Sequence, residues 1–307
     1  MAADYDVLIV GGGLAGMTAG IYAARYGMRA AIIERMMGGA QIINIERIEN
    51  YPGFPQGISG AELGPAVQEQ ALDAGVEFIM AEASLVTRSG GLLSVTNDAG
   101  QRQAKAVIIA AGSSFRQLGI PGEEEMIGRG VSNCATCDGP LFMSQTVGVV
   151  GGGDSAADEA LTLTEYAQRV LVFNRGEASR AQQVLQDRLR DNPKVELVWS
   201  TLVEGVLGED TVSGIAVRNV ATGLESQVEL SGLFVFVGLQ PGSDLVRDLV
   251  GLDNAGHIPV DISMATQVPG LYAVGDIRQN SSSQLISAAG DGATAAIAAC
   301  KYIKNLA

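Results

Sequence analysis

Two stretches of one design constrain what this chain can fold into. "YDVLIVGGGLAGMTAGIYAARYGMRAAIIER", starting at Tyr5, has a buried-type strand pattern from Val7 to Val10 and turns through Gly11, Gly12 and Gly13. It continues with helical apolar spacing and ends in a second strand-like run, Ala30 to Ile33. Gly11 suits the tight turn, Gly13 lets a pyrophosphate approach the backbone, and Gly16 allows close packing of helix on strand. The helix N-terminus offers oriented N–H groups to phosphates, and Glu34 is placed to accept from ribose hydroxyls. G-x-G-x-x-G alone also occurs as a glycine-rich turn without a ligand, but here the strand, the helix and the acid accompany it.

The unit recurs in "TVGVVGGGDSAADEALTLTEYAQRVLVFNRG", with Gly151, Gly153 and Ala156 in the turn and a following strand at Val170 to Phe173. Two dinucleotide pockets are implied. The second strand ends here in Asn174 and Arg175, with Arg180 beyond, where the first copy has an acid. Arginines at the ribose end can meet a 2′-phosphate, which points to NADPH over NADH; the other reading of Arg175 and Arg180 is an ordinary solvated loop.

"KAVIIAAGS", Lys105 to Ser113, and "GLFVFVGLQPGSD", Gly232 to Asp244, each read as a buried strand closing one nucleotide domain. "GLYAVGDI" brings Gly275 and Asp276 to a strand's carboxyl end, where open α/β sheets bind ligands, and Asp276 suits a ribitol-like hydroxyl chain. From Ser282 onward a small-residue helix runs to the C-terminus, its positive end facing the same cofactor. The expected fold class is α/β with two Rossmann-like dinucleotide-binding domains, the second inserted in the first. Residues 1–116 and 244–307 form one domain and residues 117–243 the other.

Composition narrows the partners. The chain has 34 acidic and 20 basic side chains, a net charge of −14 that repels phosphate backbones, so neither nucleic acid nor an anionic membrane is expected. The apolar runs fall well short of the roughly 20 residues of a membrane span. The N-terminus lacks a basic secretory start, and a cytoplasmic location is expected.

"VSNCATCDGPLF" carries two of the three cysteines, Cys134 and Cys137. A metal site needs further ligands, and only Cys300 and one histidine, His257, remain, so no metal is expected. A structural disulfide over so small a ring removes little unfolded-chain entropy. A redox couple needs an attacking thiolate, a resolving sulfur and an electron source, which a bound flavin would be. Asp138, beside Cys137, is the candidate to move the proton, although Asp-Gly-Pro is also good turn chemistry. Pro140 prevents a long helix and places the pair on a short, exposable turn. Cys300 reads as a packed residue and His257 as a surface one.

These residues resemble the low-molecular-weight thioredoxin reductases of the pyridine nucleotide-disulfide oxidoreductase class, through "GGGLAG", "GGAQI", "IENYPGF", "CATCDG", "GGGDSAADEA", "GLQPGSDL", "GLYAVGDI" and "AAGDGATAA". The resemblance implies a homodimeric flavoenzyme passing two electrons from NADPH through FAD and the Cys134/Cys137 disulfide to thioredoxin or a thioredoxin-like protein. It makes Cys134 the sulfur that attacks thioredoxin, Cys137 the one facing the flavin, and Asp138 the acid. Gln41, Asn50, Asp276 and Gln284 match positions lining FAD.

Two stretches depart from the family pattern. Asn174 and Gly176 replace a histidine and an arginine of the NADPH signature, and Ser283 and Leu285 flank Gln284 where the family has Arg-Gln-Ala. The departures leave NADH, ferredoxin or a deazaflavin as other donors. A dithiol oxidase and a flavin redox sensor are the alternative functions.

Overall fold

The computed structural model describes residues 3–306. Met1, Ala2 and Ala307, at the ends of the expected first domain, lie outside the described residues. The chain forms two compact units, Met1–Ser114 with Gln240–Ala307, and Phe115–Leu239.

In the first unit a parallel sheet runs in the order Glu77–Met80, Ala30–Glu34, Tyr5–Val10, Gly100–Ile109, Leu271–Ala273. Val7 pairs with Ala30 and Ala106, and Ile108 pairs with Tyr272. The runs are continuously apolar because both faces are covered: Val7, Leu8 and Ile9 are fully buried, as are Ile32 and Ile108. Each such side chain contributes about 1.5–3 kcal/mol by leaving water. The first half of the Gly100–Ile109 strand pairs with an antiparallel hairpin, Ala83–Ser89 and Leu92–Asn97.

Two helices cross closely on one face of this sheet, Leu14–Arg25 after the first glycine turn and the C-terminal Leu285–Lys304. A Cβ at Gly292 would lie 2.1 Å from the Ala15 carbonyl oxygen, so the crossing requires glycine there. Alanines 15, 19, 295, 296 and 299 fill the rest of the contact region at exposures of 6% or less. The helix starts at Leu285 instead of Ser282, because the preceding Asn280 and Ser283 take left-handed backbone conformations.

The second unit repeats the parallel design in the order Val195–Val198, Arg169–Phe173, Thr146–Val150, Gly232–Val235, Val131–Ser132. An antiparallel sheet, Thr201–Gly208, Val212–Asn219 and Glu225–Glu229, packs through Val206, Val212 and Ile215 into the same core as Leu233 and Phe173. Among the described residues, no helix is long and apolar enough to cross a membrane, and no cluster of three or more His, Cys, Asp or Glu is placed to hold a metal ion.

Candidate functional site

The first glycine turn leaves the Tyr5–Val10 strand with Gly11 at φ 106°, and a Cβ there would sit 2.2 Å from the Ala110 carbonyl oxygen. A Cβ at Gly16 would lie 1.9 Å from the Gly11 oxygen. At Gly13 a Cβ would meet nothing within 4 Å, so the glycine keeps open space where the helix begins. Glu34 is held by backbone: Gly12 N–H donates to Oε2 at 2.7 Å and Met36 N–H to Oε1 at 3.0 Å. Its carboxylate is thereby fixed beside the turn, with accepting capacity left for hydroxyls.

The other expected FAD residues belong to the same unit. Asn50 Nδ2 donates to Gln284 Oε1 at 3.0 Å, joining positions 234 apart in sequence. Gln41 donates through Nε2 to the Ser113 carbonyl. The Ser113 hydroxyl is buried and unpartnered among the described residues. Gly275, at φ 72°, donates its N–H to Asp291 Oδ2 at 3.1 Å. Arg278 grips the same carboxylate, Nε to Oδ2 at 2.6 Å and a terminal nitrogen to Oδ1 at 3.0 Å. This buried fork fixes the loop that presents Asp276; Asp291 lies within "AAGDGATAA", but the sequence gives no sign that it pairs with Arg278. Burial raises the Asp276 carboxyl above its usual range, the Ser281 hydroxyl pulls it down, and the Asp291 charge pushes it up.

The open space at Gly13, the fixed Glu34 and the orphan Ser113 hydroxyl fit a dinucleotide: N–H groups for pyrophosphate, an acid for ribose and a polar group left without a partner.

The second turn has the same logic. Gly151 lies at φ 155°, with a Cβ position 2.4 Å from the Phe236 oxygen, while a Cβ at Gly153 would meet nothing within 4 Å. Ala156 is buried at 1% exposure, and a Cβ on Gly151 would touch its methyl at 2.7 Å. Asn174 occupies the place of Glu34, but its amide serves the loop: Gly176 N–H donates to Oδ1 at 2.9 Å and Nδ2 donates to the Ala178 oxygen at 3.1 Å. Arg180 N–H donates to the Gly152 oxygen at 2.7 Å, folding the loop onto the turn. The Arg175 and Arg180 side chains are exposed, and neither has an ion-pair partner among the described residues. A cavity of about 410 Å³ adjoins the turn, lined in part by Gly152, Gly153, Asn174, Glu177 and Trp199. Glu177 and Trp199 carry no motif that would single them out in the sequence.

Cys134 and Cys137 form a disulfide, with Sγ–Sγ 2.11 Å and Cα–Cα 5.3 Å. The turn expected at Pro140 is a four-residue helix, Ala135–Asp138, followed by a 3₁₀ turn, Gly139–Phe142. Pro140 lies at the start of that 3₁₀ turn, where its missing N–H costs no bond. Cys134 is the helix N-cap, and its Sγ accepts the Cys137 N–H at 3.2 Å. Within this unit Cys134 is half-buried and Cys137 exposed. Three-residue spacing sets the ring, and the cap places Cys134 at the helix N-terminus. Asp138 is half-buried at the helix end. The carboxylate that does touch this helix is Glu159, whose Oε2 accepts the Ala135 N–H at 2.7 Å. Cys300 is buried at 2% exposure, and His257 lies 3.5 Å from Asp253.

Two glycine-turn nucleotide folds, one carrying a disulfide just ahead of its turn, define a nucleotide-dependent disulfide oxidoreductase. The family model for pyridine nucleotide-disulphide oxidoreductases matches residues 5–293. A thioredoxin reductase of Treponema pallidum is 40% identical over 306 residues, which is 100% of this chain and 99% of the relative. The crystal structure of Lactococcus lactis thioredoxin reductase superposes with a TM-score of 0.96 at 40% identity, covering 98% of this chain and 100% of that one. That of T. acidophilum thioredoxin reductase gives 0.93 at 32% identity, covering 100% of both. The chain belongs to the pyridine nucleotide-disulphide oxidoreductases and, within them, to the low-molecular-weight thioredoxin reductases, which use FAD and NADPH.

Proposed function

We propose that this chain is a thioredoxin-disulfide reductase in which residues 1–116 with 244–307 hold FAD and residues 117–243 hold NADPH. The observation that carries the reading is the Cys134–Cys137 disulfide capping a short helix in the unit that also bears the second glycine turn. In the first unit, Gly11, Gly13 and Gly16 shape the phosphate cradle and Glu34 takes the ribose. Gln41, Asn50, Gly275, Asp276 and Gln284 line the rest. In the second, Gly151, Gly153 and Ala156 cradle the donor's phosphates, and Arg175 and Arg180 meet its 2′-phosphate. What FAD supplies when bound is two-electron exchange between a nicotinamide and a disulfide.

The protein's own sulfurs do the rest. With the pair reduced, the Cys137 N–H aimed at Cys134 Sγ stabilises a thiolate there. That Cys134 thiolate attacks one sulfur of the thioredoxin disulfide, forming a mixed disulfide and releasing the partner's other sulfur as thiolate. Cys137, the flavin-facing sulfur, then attacks Cys134 Sγ, restoring the internal disulfide and freeing the second thioredoxin sulfur, and Asp138 returns a proton to a departing thiolate. Family membership also supports a homodimer working in the cytoplasm.

The donor is tested by anaerobic bleaching of the yellow flavin with NADPH, NADH, reduced ferredoxin and reduced deazaflavin in parallel. NADPH is expected to bleach it at micromolar concentration. Arg175→Ala and Arg180→Ala are each expected to weaken NADPH by roughly ten- to a hundredfold, the worth of one charge-assisted phosphate contact, and to leave NADH unchanged. Bleaching by ferredoxin or deazaflavin alone would replace the nicotinamide in this reading.

A further inference from the structure

Glu159 is the half-buried carboxyl that this mechanism leaves unused. It projects from the Asp154–Leu163 helix and accepts the N–H of Ala135, the fully buried first residue of the redox helix, next to Cys134. The bond spans 24 residues, so it reflects how the two helices dock and not local sequence.

The charges around it are few. Its own helix brings Asp154, whose carboxylate is taken by Gln182, and Asp158. The redox helix brings Asp138 and the cysteines. The Gln183–Asp191 helix brings Asp187 and Arg190, which pair with each other, together with Arg188 and Asp191. Arg169 of the neighbouring strand is committed to Glu196. Burial pushes the Glu159 carboxyl up to about 7, the Ala135 N–H pulls it down, and the Asp158 charge adds to the rise.

We propose that Glu159 is a positioning residue for the redox pair, holding the Cys134 end of its helix through Ala135 and taking up a proton when the pair is reduced. The proposal rests on the reading of Cys134 and Cys137 as a redox couple. Two electrons and one proton convert the disulfide into one thiol and one thiolate, with the electrons supplied by the reductant. That step places a negative charge beside an existing carboxylate. A second proton, from solvent, then binds Glu159 and removes the repulsion. The direction follows: a carboxyl already raised is raised further by the thiolate, so the extra uptake falls at and above neutral pH. It vanishes in acid, where Glu159 is protonated in both redox states.

The test equilibrates the FAD-loaded full chain in dithiothreitol redox buffers from about pH 6 to 9, with alkylation and mass spectrometry counting reduced pairs. Glu159→Gln keeps an acceptor for the Ala135 N–H but cannot titrate. Above neutrality the wild-type potential is expected to fall more steeply than the variant's, by up to about 30 mV per pH unit, the tenfold change that one proton represents for a two-electron couple. Equal slopes would overturn the proposal. Should Glu159→Gln not fold, reduced-minus-oxidised infrared spectra of Asp138→Asn decide. A carboxyl carbonyl band appearing on reduction supports Glu159, and its absence overturns it. A wild-type pair that does not interconvert at all would remove the redox-couple reading itself, and this proposal with it.

Discussion

Serine at Cys134 or at Cys137 is expected to leave a yellow protein that retains FAD and no longer reduces thioredoxin. The pair is remote in sequence from the Gly11 turn and from the Asp291–Arg278 fork, and it lies in the other compact unit, so removing one sulfur disturbs no residue assigned to FAD. The loss in thioredoxin turnover is expected to reach the assay background, because a single thiol can form a mixed disulfide but cannot resolve it. The two variants then differ. Cys137→Ser keeps Cys134, the attacking sulfur, and should trap a mixed disulfide with a thioredoxin that lacks its second cysteine. Cys134→Ser keeps only Cys137, the flavin-facing sulfur, and should trap it more slowly. Full disulfide reductase activity in either variant would overturn the mechanism, and the reverse order of trapping would give the attacking role to Cys137.

The parts of this molecule legible in the sequence are those where backbone geometry leaves one residue type. Gly11 has left-handed φ, and Gly16 lies against a carbonyl, so the spacing of the two glycines is enough to announce the turn. Glu34 is legible for a similar reason, since it ends the strand that must follow the helix and is gripped by two backbone N–H groups. The parts that are not legible depend on how separate elements dock. Glu159 reaches Ala135 across 24 residues, and Asp291 reaches Arg278 across 13; in a linear reading each is one acid among 34. C-x-x-C spacing announces a ring but not its place in the fold; here Cys134 caps a short helix and its Sγ accepts the Cys137 N–H. Asn174 shows a subtler limit. Its type says that no acid awaits a ribose, but only the structure shows that its amide is spent on Gly176 and Ala178. In the proposed reading, 2′-phosphate recognition therefore falls to Arg175 and Arg180.

Two alanine substitutions in the first turn separate its architectural glycine from its ligand-facing one. At Gly16 the new methyl would lie 1.9 Å from the Gly11 carbonyl oxygen, a backbone atom that can yield only if the turn opens. Overpacking of this kind costs on the order of 1–3 kcal/mol, and the opening widens the cradle at the same time. Gly16→Ala is therefore expected to lower Tm by several degrees, about 2–4 °C per kcal/mol for a unit of this size, and to purify largely without FAD. At Gly13 the methyl meets no protein atom within 4 Å, and φ of −72° suits any L-residue. Gly13→Ala should then melt, as apoprotein, within about a degree of the wild-type apoprotein while binding FAD at least tenfold more weakly, because the methyl occupies the space assigned to pyrophosphate. Differential scanning calorimetry of the apoproteins and FAD titration by flavin fluorescence read the two effects separately. A Gly13→Ala protein that holds FAD as tightly as wild type would show that the open space at the helix N-terminus is not where the phosphates lie. That result would move the cofactor away from the turn whose glycines most constrain the fold.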